Sequence, residues 1–230
     1  MFREVLLACV MAGALSNPGR AQEGGIALAL VYDTSGSMKD PVRDSSGRRA
    51  PKYTIGNRAL ESVIARLEAF EAKQPGGTPK LQVGLFVFQG KGAREAVQFG
   101  PFNPGALREW AKGFANPDGP TPIGAAMEAA GKVLLQSAAS QRHILVITDG
   151  INTAGPEPAT VIPYLNKAAE RKNTALFFHF IAFDVKANVF APIAKQGATL
   201  VAAADEKQLN EQLEFILEEK ILLEKEEPKK

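Results

Sequence analysis

Cysteine, histidine and net charge are all scarce in this chain of 230 residues. Cys9 is the only cysteine and there are two histidines, so the sequence lacks both a disulfide framework and the ligands of a Cys/His zinc site. The formal net charge of +2 is too small to indicate binding to nucleic acid or to an acidic membrane surface. Beyond the N-terminus, no apolar run is long enough to cross a bilayer. An apolar content of 45% is typical of a globular protein with an ordinary core.

The N-terminus has the organisation of an export signal. Arg3 precedes an apolar core of 11 residues, 5–15, and a small residue, Ala21, lies at the expected cleavage point. This pattern predicts a secretory signal peptide over residues 1–21. Lipidation at Cys9 is disfavoured, because the apolar segment before that cysteine has only four residues. We therefore expect a secreted or periplasmic protein whose mature chain has no cysteine.

Apolar runs typical of buried strands alternate with segments of helical periodicity along the rest of the chain. Near-continuous apolar strands separated by helices favour a mostly parallel sheet that is covered by helices on both faces. Two runs flank a turn at residues 90–92, which predicts one antiparallel pair at a sheet edge. Residues 39–52 are polar, contain two prolines and are predicted to form a loop. The predicted strands are 26–33, 81–88, 94–99, 142–149, 175–183 and 199–202, and the predicted helices are 53–72, 107–114, 121–136, 159–172, 188–195 and 206–225.

Three segments place oxygen-bearing side chains where a strand ends or a helix begins. Asp33, Ser35 and Ser37 follow the first strand at alternate positions, so all three can turn toward one point beyond the strand tip. Asp149 ends a later apolar strand, and Thr121 stands in a turn-rich loop just before a helix. Carboxylates and hydroxyls are hard donors that suit Mg²⁺, Mn²⁺ or Ca²⁺ rather than zinc. An ordinary polar turn at Asp33 and a helix N-cap at Asp149 are the alternative interpretation.

The order Asp33-x-Ser35-x-Ser37, then Thr121, then Asp149 within Thr-Asp-Gly resembles the metal-ion-dependent adhesion site of von Willebrand factor type A domains. All five family positions are filled here without substitution. The resemblance implies an α/β fold of the Rossmann-like, doubly wound kind: a mostly parallel sheet with one antiparallel edge strand and helices on both faces. In that fold the strands that end at Asp33 and Asp149 lie side by side at the switch point of the sheet, where ligands bind.

The resemblance also implies how such a site works, and it covers roughly residues 26–203. We expect a type A domain over 22–205 and a closing helix with a frayed basic tail over 206–230. The two serines would bind the metal directly, while the threonine and the carboxylates bind directly or through water. One position stays open for an Asp or Glu carboxylate of a protein partner. Mg²⁺ is the expected metal, with Mn²⁺ and Ca²⁺ as alternatives.

The predicted loop at 39–52 leaves directly from the first metal-binding segment. With Lys52 included, and against Asp40 and Asp44, it has a local charge balance of +3. A basic rim at this place would steer an acidic partner toward the site and speed the encounter. A merely solvated surface loop is the alternative. The predicted rim consists of Lys39, Arg43, Arg48 and Arg49.

Catalysis is not expected from this sequence. His143 begins the strand whose far end carries Asp149, and His179 lies mid-strand among apolar residues, so neither is placed to activate a serine. Metal-assisted hydrolysis at Asp33 would need a general base, and none is evident nearby. An accessory subunit of an ATPase or chelatase-type complex is a second alternative, but those partners are cytosolic and the signal peptide argues against them. We therefore expect an exported adhesion-type module that binds a protein partner, and not an enzyme.

Overall fold

A computed structural model describes residues 23–74 and 80–223 of the chain. The predicted signal peptide, 1–21, and most of the predicted tail, 224–230, lie outside the described residues. The strands are β1 (Glu23–Tyr32), β2 (Pro41–Arg43), β3 (Arg49–Pro51), β4 (Lys80–Gln89), β5 (Gly92–Pro101), β6 (Ala139–Thr148), β7 (Phe177–Phe183) and β8 (Thr199–Ala203). The helices are α1 (Lys52–Ala72), α2 (Pro104–Gly113), α3 (Ile123–Leu134), α4 (Pro158–Glu170), α5 (Ala191–Ala194) and α6 (Glu206–Ile216).

The main sheet of the described chain has six strands in the order β5-β4-β1-β6-β7-β8. The edge pair β4 and β5 is antiparallel, and every other neighbouring pair is parallel. The predicted doubly wound α/β fold, with a mostly parallel sheet and one antiparallel edge strand, is therefore confirmed. The predicted adjacency of the first strand and the strand that precedes Asp149 is confirmed as well, because β1 and β6 pair directly.

Helices cover both faces of the sheet because successive residues of a strand point to opposite sides. In β1, Leu28 and Leu30 join one core with residues of α1, α2 and α6. Ala27, Ala29 and Val31 join a second core with residues of α3, α4 and α5. The central strand is thus buried on both faces, which accounts for its nearly continuous apolar sequence.

The carboxyl ends of three neighbouring strands meet at one edge of the sheet. In the parallel register Tyr32 of β1 lies opposite Ile147 of β6, so both strands end at the same level. The next strand, β7, continues this edge. The residues that follow the three strand ends are Asp33, Asp149 and Asp184.

An aromatic cluster lies on the α1 and α2 side of this edge. The ring of Tyr32 meets Trp110 at a centroid distance of 5.2 Å and 73°, in an edge-to-face arrangement. Trp110 stacks on Phe114 at 5.0 Å and 11°. The Tyr32 hydroxyl donates to the Asn57 side-chain oxygen at 2.9 Å. Edge-to-face and offset aromatic pairs each stabilise a core by roughly 0.5–1.5 kcal/mol beyond the area they bury.

The prediction of a loop over residues 39–52 is wrong. After a short 3-10 helix, β2 and β3 pair as an antiparallel hairpin, which directly precedes α1. The Asp44 side chain holds the turn, because it accepts the backbone N–H groups of Ser46 and Arg48, each at 2.9 Å. Side-chain acceptors of this kind stabilise tight turns. Val42 is buried and fixes one side of the hairpin on the protein.

Two predicted helices are interrupted. The helix predicted at 188–195 consists of a 3-10 helix, Ala187–Phe190, followed by the short α5. The closing helix predicted at 206–225 is α-helical in α6 and then continues as a π-helix, Leu217–Ile221. Its apolar stripe is buried, as predicted for core packing. Among the described helices, none has both the length and the apolar character needed to cross a membrane.

Candidate metal centre

Asp33 is held rigidly at the carboxyl end of β1. Its backbone N–H donates to the carbonyl of Ile147 at 3.1 Å, which continues the β1–β6 pairing by one residue. Its carboxylate accepts the backbone N–H of Ser35 at 2.8 Å and the Thr148 hydroxyl at 2.5 Å. The residue is fully buried. The orientation of this carboxylate is therefore fixed by both strands that flank the switch point.

The two serines and Asp149 form a continuous chain of polar contacts. The hydroxyl oxygens of Ser35 and Ser37 lie 3.1 Å apart. The Ser37 hydroxyl donates to one carboxylate oxygen of Asp149 at 2.8 Å. The 3-10 helix Gly36–Lys39 produces this arrangement, because it turns the chain back toward β6 directly after Asp33.

Thr121 borders the same site from the loop before α3. The side chain is buried, and its backbone is tied to the loop after β6 by two hydrogen bonds with Thr153, of 2.8 and 3.0 Å. A Cβ atom placed on Gly150 would lie 3.5 Å from the Thr121 hydroxyl and 3.8 Å from the Ser37 hydroxyl. Both hydroxyls therefore face the backbone of Gly150, which directly follows Asp149.

Burial makes it unfavourable for Asp33 and Tyr32 to be negatively charged. Burial, together with the nearby Asp149, raises the pKa of Asp33 to about 6, although hydrogen bonds from Ser35 and Thr148 act in the opposite direction. The pKa of Tyr32 is also raised, first by burial and then by the charges of Asp33 and Asp149. Two carboxylates held close together away from water favour a proton or a cation beside them.

Two charged residues of this region, Lys52 and Asp184, were not predicted as site residues. The Lys52 ammonium lies 3.0 Å from a carboxylate oxygen of Asp149 and 3.0 Å from one of Asp184. Burial lowers the pKa of Lys52, but the two carboxylates more than offset that effect and raise it above its usual value. Asp184 follows a buried strand, as Asp33 and Asp149 do, and that shared pattern could have identified it. No sequence pattern marks Lys52, which was counted with the basic loop.

The four residues of the predicted rim are exposed on the 3-10 helix and the hairpin. Arg49 donates to the carbonyl of Pro41 at 2.6 Å, and the Arg48 side chain donates to the Ser46 hydroxyl at 2.9 Å. Lys39 and Arg43 are exposed as well. Because Lys52 is buried and paired, the exposed charge balance of this segment is smaller than the sequence alone indicates.

The two histidines lie away from the serines. His143 Nδ1 and His179 Nε2 are 3.1 Å apart, on neighbouring strands. His143 precedes Asp149 by six residues of extended chain, which corresponds to roughly 20 Å at 3.3 Å per residue. Burial, with a smaller effect of Lys220, lowers the pKa of His179 to about 4. Both histidines are buried on neighbouring strands, away from the strand ends that carry the candidate site.

The donor set fits a hard divalent cation. Within residues 23–74 and 80–223, no three His, Cys, Asp or Glu side chains could hold a metal ion by themselves. The convergent donors at the strand ends are instead two carboxylates and the neighbouring hydroxyls. Oxygen donors of this kind match the preferences of Mg²⁺, Mn²⁺ and Ca²⁺.

The sequence profile of the von Willebrand factor type A domain matches residues 28–152, more than half of the chain. This chain belongs to the von Willebrand factor type A domain family. The match begins within β1 and runs through the hairpin, α1 to α3 and β6, and so includes both strand ends that carry Asp33 and Asp149. No curated protein sequence matches the chain significantly.

Solved structures share the fold of this type A domain. The PilB minor pilin from Streptococcus sanguinis is 18% identical with a TM-score of 0.63, over 84% of this chain and 60% of that one. The vWF domain of the type V pili tip protein Mfa5 from Porphyromonas gingivalis is 11% identical with a TM-score of 0.58, over 84% and 94%. Proximal thread matrix protein 1 from the mussel byssus, solved with a zinc-occupied MIDAS motif, is 13% identical with a TM-score of 0.58, over 85% and 48%. This chain spans about 60% of the minor pilin's length, and identities this low show the fold alone.

A cavity lies beside the candidate metal centre of this type A domain. It has a volume of about 350 Å³ and opens between the loop after β6 and the segment around α5. Ile151 and Val189 line it and are 54% and 43% exposed, so part of its mouth is apolar. Because Ile151 is two residues from Asp149, their Cα atoms are at most about 7 Å apart.

Proposed function

We propose that this type A domain is an adhesion-type module that binds a protein partner through a divalent metal. The observation that supports this proposal most is the run of contacts from Ser35 through Ser37 to Asp149, beside the buried Asp33. Within the described chain, no lysine or arginine forms an ion pair with Asp33. The proposed ligands are Asp33, Ser35, Ser37, Thr121 and Asp149.

The proposed chemistry is coordination without bond breaking. A bound divalent cation would neutralise the two carboxylates and offer one open coordination position to an outside oxygen. The hydroxyls of Ser35, Ser37 and Thr121 are neutral donors, so they leave that position attractive to an anion. We propose an Asp or Glu carboxylate of the partner as the outside ligand, and Mg²⁺ as the metal, with Mn²⁺ and Ca²⁺ as alternatives.

The surface around the site suits a protein partner of acidic character. The rim of Lys39, Arg43, Arg48 and Arg49 is exposed and positively charged. Exposed charges of one sign accelerate association with an oppositely charged partner more than they strengthen the final complex. The apolar mouth of the neighbouring cavity would be covered in such a complex.

We propose that the protein acts outside the cytoplasm and by binding rather than by catalysis. The predicted signal peptide supports export, and the similar structures include a minor pilin and a pili tip protein. Catalysis at the site would need a general base. His143 and His179 are remote from the hydroxyls of Ser35 and Ser37, and the Lys52 ammonium is already paired with Asp149 and Asp184.

The test is affinity capture from an extract of the source organism, with the mature protein as bait in millimolar Mg²⁺ or in EDTA. Bait with Asp33→Ala removes a proposed ligand, and bait with Asp118→Ala removes an exposed carboxylate from the nearby loop as a matched control. We expect one partner to be retained by the wild type and by Asp118→Ala in Mg²⁺ only, and to be lost with Asp33→Ala. A partner that is retained equally in Mg²⁺ and in EDTA, and equally by the wild type and by Asp33→Ala, would contradict metal-mediated adhesion.

Once a partner has been captured, its association rate with the bait, measured at low and at high salt, tests the rim. Bait with Arg48→Gln and Arg49→Gln together is expected to associate more slowly at low salt, and to match the wild type at high salt, where exposed charges are screened. Arg171→Gln, an exposed change at the end of α4, serves as the control. An association rate that is unchanged at low salt would leave the hairpin as an ordinary solvated surface.

A further inference from the structure

Lys52 lies between two of the three strand-end carboxylates. Asp33, Asp149 and Asp184 follow β1, β6 and β7, which are neighbours in the sheet. The Lys52 ammonium is 3.0 Å from Asp149 and 3.0 Å from Asp184, and the Lys52 side chain is only 7% exposed. One oxygen of Asp149 therefore accepts from Lys52 while the other accepts from Ser37 at 2.8 Å.

Local structure gives no reason for a buried lysine at this position. Lys52 is the first residue of α1, where the helix dipole disfavours a positive charge. A strongly hydrated ammonium group is also unfavourable in the protein interior unless it is paired. Its placement is explained by the two carboxylates, which lie on strands far away in the sequence.

Charge balance at the site depends on this one side chain. Three carboxylates meet at the strand ends, and in the described chain Lys52 is the only cation that pairs with Asp149 or Asp184. Without it, two buried carboxylates and a third that is 41% exposed would repel one another. With it, an incoming divalent cation meets a positive charge that already contacts one of its ligands.

We propose that Lys52 is a resident cation of the metal centre, which keeps the strand-end carboxylates together before metal binds and weakens the binding of divalent metal. This inference rests on the proposed function for the identity of the metal ligands. With Lys52 in place, the three strand-end carboxylates and one divalent ion have a summed charge of zero, whereas without Lys52 the sum is −1, so the metal-loaded site repels a partner carboxylate less when Lys52 is present. Lys52 is thus a positioning and selectivity residue that shifts the preference of the site toward an anionic partner.

The test compares Lys52→Met and Lys52→Gln with the wild type and with Lys112→Met. Lys112→Met removes the same charge from an exposed position on α2, outside the site and the rim, and is the matched control. Metal affinity is measured by calorimetric titration of the full chain with Mg²⁺, and stability by thermal melting with EDTA or Mg²⁺. We expect both Lys52 variants to melt at lower temperature in EDTA, to gain more from Mg²⁺, and to bind Mg²⁺ at least about tenfold more tightly.

A merely structural role for Lys52 gives the opposite result, because damage to the site weakens metal binding. Unchanged or weaker Mg²⁺ affinity in Lys52→Gln would overturn the inference, whatever happens to stability. If Lys52→Met is unfolded in EDTA, millimolar Mg²⁺ is expected to restore its circular dichroism spectrum, and failure to do so would also overturn it.

The two proposals fail separately in this experiment. A wild type that binds Mg²⁺ with the same affinity as both Lys52 variants would refute the resident cation and leave the metal-mediated adhesion intact. A wild type that binds no Mg²⁺, with Lys52→Met and Lys52→Gln that do, would support the resident cation and refute adhesion by the native protein.

Discussion

Gly124 shows how closely a single residue couples packing to the candidate site. It lies in the first turn of α3, three residues after Thr121. A Cβ atom at this position would lie 1.9 Å from the carbonyl oxygen of Pro156 in the loop before α4. Since the obstructing atom belongs to the backbone, no rotation of a side chain can relieve the overlap.

We expect Gly124→Ala to lower the free energy of unfolding by about 2–3 kcal/mol, as overpacking of a dense interior does. Urea denaturation measures this loss, and calorimetric titration would show weaker Mg²⁺ binding because Thr121 is displaced. Gly113→Ala is the control, since a Cβ there meets nothing within 4 Å. In a helix Ala is preferred over Gly by about 0.5–1 kcal/mol, so Gly113→Ala should be neutral or stabilising. Equal effects of the two substitutions would contradict the packing explanation.

At the residue scale, the sequence located the residues next to a recognisable strand end but not the other residues of the candidate site. That Asp33, Ser35 and Ser37 lie together could be predicted because a short segment contains all three, and the place of Asp149 at a strand end because an apolar strand precedes it. Their role as metal ligands stays a prediction. Lys52 is different: its hydrogen bond with Asp149 spans 97 residues of sequence. Its role depends on tertiary contacts that no local pattern encodes.

Among the elements, the β2–β3 hairpin and α6 are linked by hydrogen bonds to the Glu206 carboxylate. Glu206 opens α6, is buried, and accepts the backbone N–H of Ser45 at 2.7 Å. It also accepts two hydrogen bonds from the Arg58 guanidinium of α1, at 2.6 and 2.9 Å. The pKa of Glu206 is lowered, chiefly by the Arg58 hydrogen bond. Its contribution to stability is therefore present above its unfolded pKa and is lost as the pH falls through the lower folded value.

Glu206→Ala is expected to cost about 1–2 kcal/mol at neutral pH, because it leaves the Ser45 amide and Arg58 without this acceptor. Hydrogen exchange should also become faster in the hairpin and in the first turn of α6. Glu211→Ala, on the same helix, removes an exposed pair with Lys207 at 3.8 Å and should change stability by less than about 0.5 kcal/mol. If the hairpin amides exchange at the same rate in Glu206→Ala and in the wild type, the two elements are not fastened in this way.

The elements that could be predicted are those with a sustained pattern. β1, β6 and β7 are apolar runs, and α1 keeps its helical spacing for 21 residues. β2 and β3 have three residues each, which is too short for a recognisable alternation of apolar and polar residues. Turn-forming residues and two prolines dominate the sequence of 39–52, so the pattern indicated a loop. The change from α6 to a π-helix at Leu217 likewise has no local signal, since the apolar spacing continues through it.

At the level of the whole molecule, two buried groups respond to acid in opposite directions. The folded pKa of His179, about 4, is below its ordinary value of 6.5, so the unfolded chain binds more protons between these values and stability falls as the pH falls from 6.5 to 4. The folded pKa of Asp33, about 6, is above its ordinary value of 3.8, so stability rises as the pH falls from 6 to 3.8. In the metal-free protein these two effects partly cancel, and the loss of the Glu206 contribution adds to the first of them.

We expect His179→Gln, which keeps a hydrogen-bonding side chain beside His143, to remove the first effect alone. Between pH 6.5 and 5 the wild type should lose about 1.5 kcal/mol more than this variant, because the unfolded imidazole is half protonated at pH 6.5 and the slope approaches about 1.4 kcal/mol per pH unit only below that pH. Urea denaturation of both proteins in EDTA at these two pH values gives the comparison. Parallel stability profiles for the two proteins would show that His179 does not titrate on unfolding.

The layered fold was predictable as a whole because the alternation of strands and helices permits few topologies. The order of the central strands followed from the family resemblance, which placed the strands ending at Asp33 and Asp149 side by side. Asp184 follows a predicted strand, but its place beside Asp149 required the position of β7 next to β6. That Lys52 does not add to the exposed charge of 39–52 required the start of α1. The contacts between elements are therefore what could not be predicted from the sequence.

The aromatic cluster beside β1 has an optical consequence. Trp110 is the only tryptophan of the chain, so all indole emission comes from one place. Its ring touches Tyr32, and the peptide bond after Tyr32 leads directly to Asp33. A small displacement of that strand end alters the surroundings of the indole, and unfolding exposes it to water. The protein thus contains an intrinsic fluorophore that contacts the residue before Asp33, and we expect cation binding at the candidate metal centre to shift its emission wavelength without any label.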